Sequence, residues 1–172
     1  VIGSAQVVNI LISIVRMKVL AVLLGPSGVG LLSIYNSLLG MVKQTAGLGM
    51  ESSGVREIAS SRGDEATLSR VRLVLFAAHL IQGTLAMIAV WILRDRIATW
   101  LFGGAEQATE VGLIGIAILL SLLASAQTAL LQGLRKIGDL GRVTVTSAFV
   151  GTLAGLAAVW LQSESGLIWF IL

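Results

Sequence analysis

Long apolar runs alternate with short polar breaks along the whole chain. The first run, Val1–Leu24, ends at Gly25-Pro26. The residue before a proline resists the helical conformation, and proline itself suits a first helical turn. The runs predict membrane-spanning helices over about 1–24, 26–46, 71–93, 109–131 and 143–161, and a sixth begins at 166–172. Each complete run is close to the ~20 residues that carry a helix across hydrocarbon. Within the runs, polar residues recur at three- and four-residue spacing, the mark of one helix face. The first has Gln6, Asn9, Ser13 and Arg16; the second has Ser33, Asn36/Ser37, Gly40 and Lys43/Gln44. The fourth has Ser121, Ser125, Thr128 and Gln132, and the fifth has Thr144, Ser147, Gly151 and Gly155.

The breaks between runs differ in chemistry. Glu51 to Glu65 is the most charged stretch and must meet water, and Asp64 or Thr67 there suits a helix cap before Ser69-Arg70-Val71-Arg72. Arg94-Asp95-Arg96 is flanked by Trp91 and Trp100, as interfacial aromatics flank a bilayer, so Ile97–Phe102 is predicted to lie on the membrane surface as a short amphipathic turn. Gln132 to Arg142 reads as a short basic loop.

Composition agrees with the pattern. Of the 172 residues, 56% are hydrophobic and 12% charged, with a mean hydropathy of +0.94. A soluble domain carries about 25% charged residues. The fold class predicted is all-α: a polytopic transmembrane helix bundle of five spans plus the start of a sixth. The high pI, about 10.0, does not point to nucleic acid, because the basic residues sit in short loops. There is no cysteine and one histidine, so no disulfide framework, metal site or cofactor is expected. A signal peptide would put its charges before the apolar core, not after most of it. Position 1 is not Met and the chain stops inside an apolar run, so it reads as part of a longer protein.

Basic residues set the orientation. Lys43, Arg56, Arg62, Arg70 and Arg72 fall on the same side as Arg135, Lys136 and Arg142. Only Arg94 and Arg96 lie opposite. The richer side is expected to be cytoplasmic, together with the N-terminus.

Candidate chemistry centres on cations inside the spans. Arg16 lies eight residues before Leu24, about 12 Å along a helix. An arginine near mid-membrane costs about 2.5–3.5 kcal/mol on insertion scales, which a water-filled cavity with an anionic guest would justify; the plainer reading is a snorkelling side chain. Lys18 points roughly opposite Arg16 and suits snorkelling better. Lys43 is either a cavity residue or a positive-inside anchor. Arg56 and Glu57 either form a surface pair worth little or stand at a cavity mouth. His79 is a candidate coupling group, because histidine changes charge nearest neutral pH; the commoner role is a hydrogen bond between helices. Gly151-x-x-x-Gly155 suits close helix packing more than dimerisation. The polar row of the fourth run is either packing glue or a set of sugar contacts. Arg135, Lys136 and Arg142 are topology anchors that could also hold anionic lipid headgroups.

Three motifs carry a family resemblance: Arg16-x-Lys18-x-Leu20-Ala21-x-Leu23-Leu24-Gly25-Pro26-Ser27-Gly28-Val29-Gly30-Leu31, then Ala46-Gly47-Leu48-Gly49-Met50-Glu51-Ser52-Ser53-Gly54-Val55-Arg56-Glu57-Ile58-Ala59, then Leu131-Gln132-Gly133-Leu134-Arg135-Lys136-Ile137-Gly138-Asp139-Leu140. In order and spacing they resemble the oligosaccharide flippases (polysaccharide biosynthesis proteins, O-antigen translocase type) of the multidrug/oligosaccharidyl-lipid/polysaccharide exporter superfamily. The resemblance implies two pseudo-symmetric helix bundles, of which this chain is most of the N-terminal one. It implies a transporter, not an enzyme, in the bacterial cytoplasmic (inner) membrane. Its substrate would be a polyprenyl-diphosphate-linked oligosaccharide for O-antigen (lipopolysaccharide) or exopolysaccharide synthesis, moved by alternating access. Membrane lipids and other polysaccharide-assembly proteins are the implied partners. In the related lipid II flippases, functional arginines stand in the first helix and near the cytoplasmic end of the second. Arg16 matches the first by position, and Arg56 loosely matches the second. The substrate-cavity set is then Arg16, Asn9, Ser13, Lys43, Arg56 and Lys18, with His79 for coupling. Arginine forks suit a diphosphate, and the Ser and Asn side chains suit a variable glycan.

Three other readings compete, one of them a non-transporting membrane scaffold, which would leave Arg16 and the polar rows without a purpose. A cation-coupled multidrug exporter would want carboxylates within its spans, and none is placed there. A membrane-embedded glycan-assembly enzyme would want an acidic site at a membrane face, and the Glu51–Glu65 stretch forms no recognisable one.

Overall fold

A computed structural model describes residues 2–162. Some side chains near both ends, those of Asn9 and Arg16 among them, lie outside the described set, as do the expected turn at 163–165 and the sixth span. The described residues form five helices: α1 (Ile2–Gly47), α2 (Met50–Ser60), α3 (Glu65–Phe102), α4 (Ala108–Gly133) and α5 (Ile137–Gln162). No strand occurs among them, so the fold is all-α. By contacts the chain divides into two compact units. One joins α1 up to Ser37 with the chain from Ile137 onward, and the other is Leu38–Lys136.

In the first unit, α1 breaks where the sequence predicts. Gly25 has φ 67° and ψ −173°, a region open almost only to glycine. Pro26 then starts the second half of the helix with its missing N–H at no cost. Gly28, Leu32 and Tyr35 are buried on one face of that half. Asn36, Ser33 and Ser37 are exposed, and their side chains turn back to helix carbonyls: Ser33 Oγ to Val29 O (2.9 Å), Asn36 Nδ2 to Leu32 O (2.9 Å) and Ser37 Oγ to Ser33 O (2.8 Å). Such local bonds satisfy a polar row in lipid or in water. In α5, Asp139 and Arg142 form an exposed pair at 3.8 Å, one turn apart.

In the second unit, α4 is the central helix. Gly112, Gly115, Ile118, Leu122, Ser125, Ala129 and Gly133 are buried at three- and four-residue intervals. Small residues on this stripe let α3 approach closely. A methyl on Gly115 would sit 3.1 Å from Met87 O, and one on Gly83 would sit 3.2 Å from Leu119 Cα. One on Gly112 would meet Trp91 at 2.8 Å, and the Trp91 ring in turn carries the Arg94 guanidinium 4.8 Å from its centroid. The pairs 83/119, 87/115 and 91/112 run in opposite senses, so α3 and α4 are antiparallel. The expected packing glycine Gly151 instead faces open space, with nothing within 4 Å of an added Cβ.

Three expectations are corrected. Glu51–Ser60 is helical, not merely charged loop, because Gly54 and Ile58 of α2 are buried. Ile58 clusters with Leu75 and Ala129. Second, Ile97–Phe102 is no separate surface turn: α3 continues unbroken to Phe102 and ends at Gly103, whose left-handed φ of 78° lets its N–H reach Thr99 O. Arg72 and Arg94 are 22 residues apart, about 33 Å of helix, which matches a hydrocarbon core of about 30 Å. The last two turns of α3 therefore extend beyond it as helix. Third, the basic loop is shorter than expected, since α5 starts at Ile137. Arg135 takes φ 57° and closes α4 with a Schellman pair, Lys136 N–H to Leu131 O and Arg135 N–H to Gln132 O, each 2.9 Å.

α3 and α4 are long and apolar enough to cross a membrane. Asp64 caps α3, accepting from the N–H groups of Ala66 (3.1 Å) and Thr67 (3.2 Å) and from the Thr67 hydroxyl (2.6 Å). These bonds, the Thr67 hydroxyl's first, hold its carboxyl below the ordinary value against a small opposing desolvation.

Candidate functional site

The second unit contains a cleft of about 340 Å³ where four elements meet. The end of α1 supplies Gly40, Lys43, Gln44 and Gly47; the start of α2 supplies Gly49 and Glu51; α3 supplies His79; α4 supplies Leu122 and Ser125. Lys43 and His79, assigned separate roles from sequence, thus share one cavity.

Local structure aims these groups. Lys43 is half-buried on the face of α1 that also carries Gly40 and Gly47, and the absence of side chains there leaves the cleft open. The turn between α1 and α2 is sharp, with Leu48 and Gly49 both left-handed (φ 46° and 71°). Gly49 is the N-cap of α2 and supplies no side-chain cap. The uncapped amides and the positive end of the α2 dipole therefore stand at the cleft rim beside Lys43. Glu51, in the first turn of α2, partly offsets that charge.

His79 is buried, 1% exposed. Its Nδ1 lies 2.9 Å from Leu75 O, a carbonyl of its own helix and not of a neighbour. A carbonyl only accepts, so Nδ1 carries the hydrogen and Nε2 presents a lone pair. Ser125 is also buried, and its hydroxyl has no partner among the described residues. One turn beyond His79, Gln82 Nε2 donates to Met50 Sδ at 2.9 Å, while its buried Oε1 has no partner. The cleft thus offers a cation, helix amides, a hydroxyl and a ring nitrogen around one space with a buried floor and an exposed rim, which suits an anionic group bearing several acceptor oxygens.

The remaining sequence candidates fall elsewhere. Ser13 and Lys18 are exposed on α1 in the other unit. Asn9 and Arg16 also lie in α1 of that unit, but their side chains are outside the described set. Arg56 is exposed on α2 and does not line the cleft. Sequence reasoning missed Glu51 and the uncapped start of α2, and it placed Gln44 only in the polar row of the second run. Ser125 stood in the polar row of the fourth run, the one signal that pointed to it. It also missed Arg62, whose Nε and Nη2 both donate to Gly133 O, at 2.9 and 2.6 Å. That fork neutralises the negative end of the α4 dipole and ties it to the end of α2. Among the described residues no three His, Asp or Glu side chains gather in a metal-binding group.

No curated protein and no solved structure matches the chain. One family model does match, that of the polysaccharide biosynthesis proteins, and it covers residues 1–172. With a match over its whole length and two helices fit to span a bilayer, the chain belongs to the polysaccharide biosynthesis protein family and is a membrane protein.

Proposed function

We propose that this protein is a flippase, not an enzyme, and moves a polyprenyl-diphosphate-linked oligosaccharide from the cytoplasmic to the outer leaflet of a bacterial inner membrane. The glycan would serve O-antigen or exopolysaccharide synthesis. The observation that carries the reading is the cleft of Lys43, Ser125 and His79 at the uncapped start of α2. A diphosphate needs permanent positive charge and directed donors to leave water, and that cleft offers both. The oligosaccharide would lie over the hydroxyl and amide side chains, which bind sugars without demanding one sequence of them. Membership of a polysaccharide biosynthesis family supports the substrate class. In this reading the positive-inside count puts the N-terminus in the cytoplasm, and alternating access requires a second bundle to rock against this one. Arg16, Asn9 and Ser13 of the first apolar run would be further contacts for the diphosphate and the glycan. His79 Nε2 would take the proton that couples transport.

The test is complementation of a glycan-export mutant by the full-length protein. Lys43→Ala should lower surface glycan at least tenfold, the loss of one charge-assisted phosphate contact being worth about 1.5–3 kcal/mol, while lipid-linked glycan accumulates on the cytoplasmic face. Normal export by a well-expressed Lys43→Ala protein would sink the assignment of this cleft. Glu51 gives some weight to a second reading, a cation-coupled multidrug exporter, since a carboxylate does line the cleft. In that case Glu51→Gln would abolish drug resistance and leave glycan export untouched.

A further inference from the structure

A second cavity, of about 460 Å³, opens on the side of the α3–α4 pair. It is apolar along most of its length, lined by Leu73, Phe76, Ala126 and Leu130, with Ser69 and Arg72 at one end. Ser69 to Phe76 spans seven residues of α3, about 10 Å. The groove is therefore amphipathic lengthwise, with the Arg72 cation at the head, where the Ser69 hydroxyl already donates to Ala66 O (2.9 Å), and mostly hydrocarbon behind, Gln127 standing on the wall. Leu73 is 69% exposed and Phe76 39%, so the apolar part is open on the surface of the second unit. Arg72 has no hydrogen-bond or ion-pair partner among the described residues.

The head end also lies in a basic field. The Arg62–Gly133 bonds bring the end of α2 to the end of α4, where the chain turns through Arg135 and Lys136. Arg56, Arg62, Arg70, Arg72, Arg135 and Lys136 thus gather at this end against Glu57, Asp64 and Glu65, six positive charges to three negative. Basic pockets between transmembrane helices suit anionic lipid headgroups, and an isolated inorganic anion would leave the apolar length unused.

We propose that this groove is a binding site for an anionic glycerophospholipid, its phosphate on Arg72 and one acyl chain along Leu73, Phe76, Ala126 and Leu130. The site is separate from the Lys43–His79 cleft and does not depend on what that cleft carries.

The experiment is a thermal-shift titration, with native mass spectrometry, of the full-length protein in mild detergent. The added probes are phosphatidylglycerol, phosphatidylcholine, a polyprenyl phosphate and inorganic phosphate. Phosphatidylglycerol should raise the melting temperature and remain bound in the gas phase, and the other three should not match it. Arg72→Gln should weaken phosphatidylglycerol roughly fivefold, the ratio expected for one basic residue at an anionic headgroup, and Arg72→Lys should restore part of the loss. Gln127→Trp, at an exposed position on the groove wall, should block the tail and weaken the lipid without removing charge. An equal response to phosphatidylcholine, or to phosphate alone, overturns the proposal. So does tighter binding of the polyprenyl phosphate, or wild-type affinity in both Arg72→Gln and Gln127→Trp.

Discussion

Gly133 is the point where α2 meets α4, and adding one methyl there should separate them. An added Cβ would lie 2.7 Å from Ile58 Cβ and Cγ2 and 3.0 Å from Val55 O. None of these atoms is the free end of a flexible chain; two belong to a β-branched side chain and the third is backbone. Overpacking of this kind costs about 1–3 kcal/mol, and the rigidity of the neighbours argues for the upper half. Moving α2 away also strains the two Arg62 bonds to Gly133 O. A charge-assisted bond is worth about 1.5–3 kcal/mol when fully formed and buried, and less here, because Arg62 is largely exposed. Gly133→Ala should therefore destabilise by about 2–4 kcal/mol, Arg62→Ala by about 1, and the double variant by less than the sum, because the two share one contact. The assay is chemical or thermal unfolding in detergent. Gly138→Ala serves as control, since nothing lies within 4 Å of its added Cβ and α5 should gain up to about 1 kcal/mol from it. If Gly133→Ala and Gly138→Ala unfold alike, the close approach of α2 to α4 is wrong.

Gln82→Leu should stabilise the protein by about 1 kcal/mol, because it removes a buried carbonyl without a partner at the cost of one weak N–H···S contact; a clear loss of stability in the same unfolding assay would mean that the oxygen is satisfied. Arg135→Gly should stabilise by about 1 kcal/mol, since only the L side chain makes φ 57° costly, and hydrogen exchange at the end of α4 would report it; unchanged or faster exchange there would argue against the left-handed cap. The Asp64 carboxyl is held below its ordinary value when folded, so its contribution is fully present above the usual carboxylate range, about pH 4, and is lost as pH falls through the lowered value. Asp64→Asn keeps a capping side chain but cannot titrate, so its stability should depend less on pH between about 5 and 2; parallel acid-unfolding curves for the two proteins would contradict this cap.

Much of the helical layout was legible because its causes are local. The Gly25-Pro26 break, the Asp64 cap and the unbroken apolar runs of α3 and α4 each depend on residues a few positions apart. α2 was missed because it has few apolar positions and a glycine at its centre, and its helicity depends on burying Gly54 and Ile58 against Leu75 and Gly133. Gly133 itself, at the end of a helix, has the sequence of a left-handed cap, yet Arg135 takes that conformation and Gly133 is needed for closeness. Of the candidate site, Lys43 and His79 were visible as charge-bearing or titratable groups in apolar runs. Their meeting with Glu51 and Ser125 was not, because convergence of four elements leaves no trace in spacing along the chain. Arg62 looked like one more positive-inside charge for the same reason.

The Arg62–Gly133 bond joins residues 71 positions apart, and this orders events during synthesis. At about 5–20 residues per second, the ribosome delivers the α4 carbonyl roughly 4–14 seconds after the arginine that must meet it. Until then α2 can rest only on the newly made α3, through Leu68, Val71, Leu75 and Gln82, with the other side of Ile58 unmatched. The nascent chain thus passes through a stage in which α3 is complete and α2 is only half docked, and the arrival of the last turn of α4 fastens both.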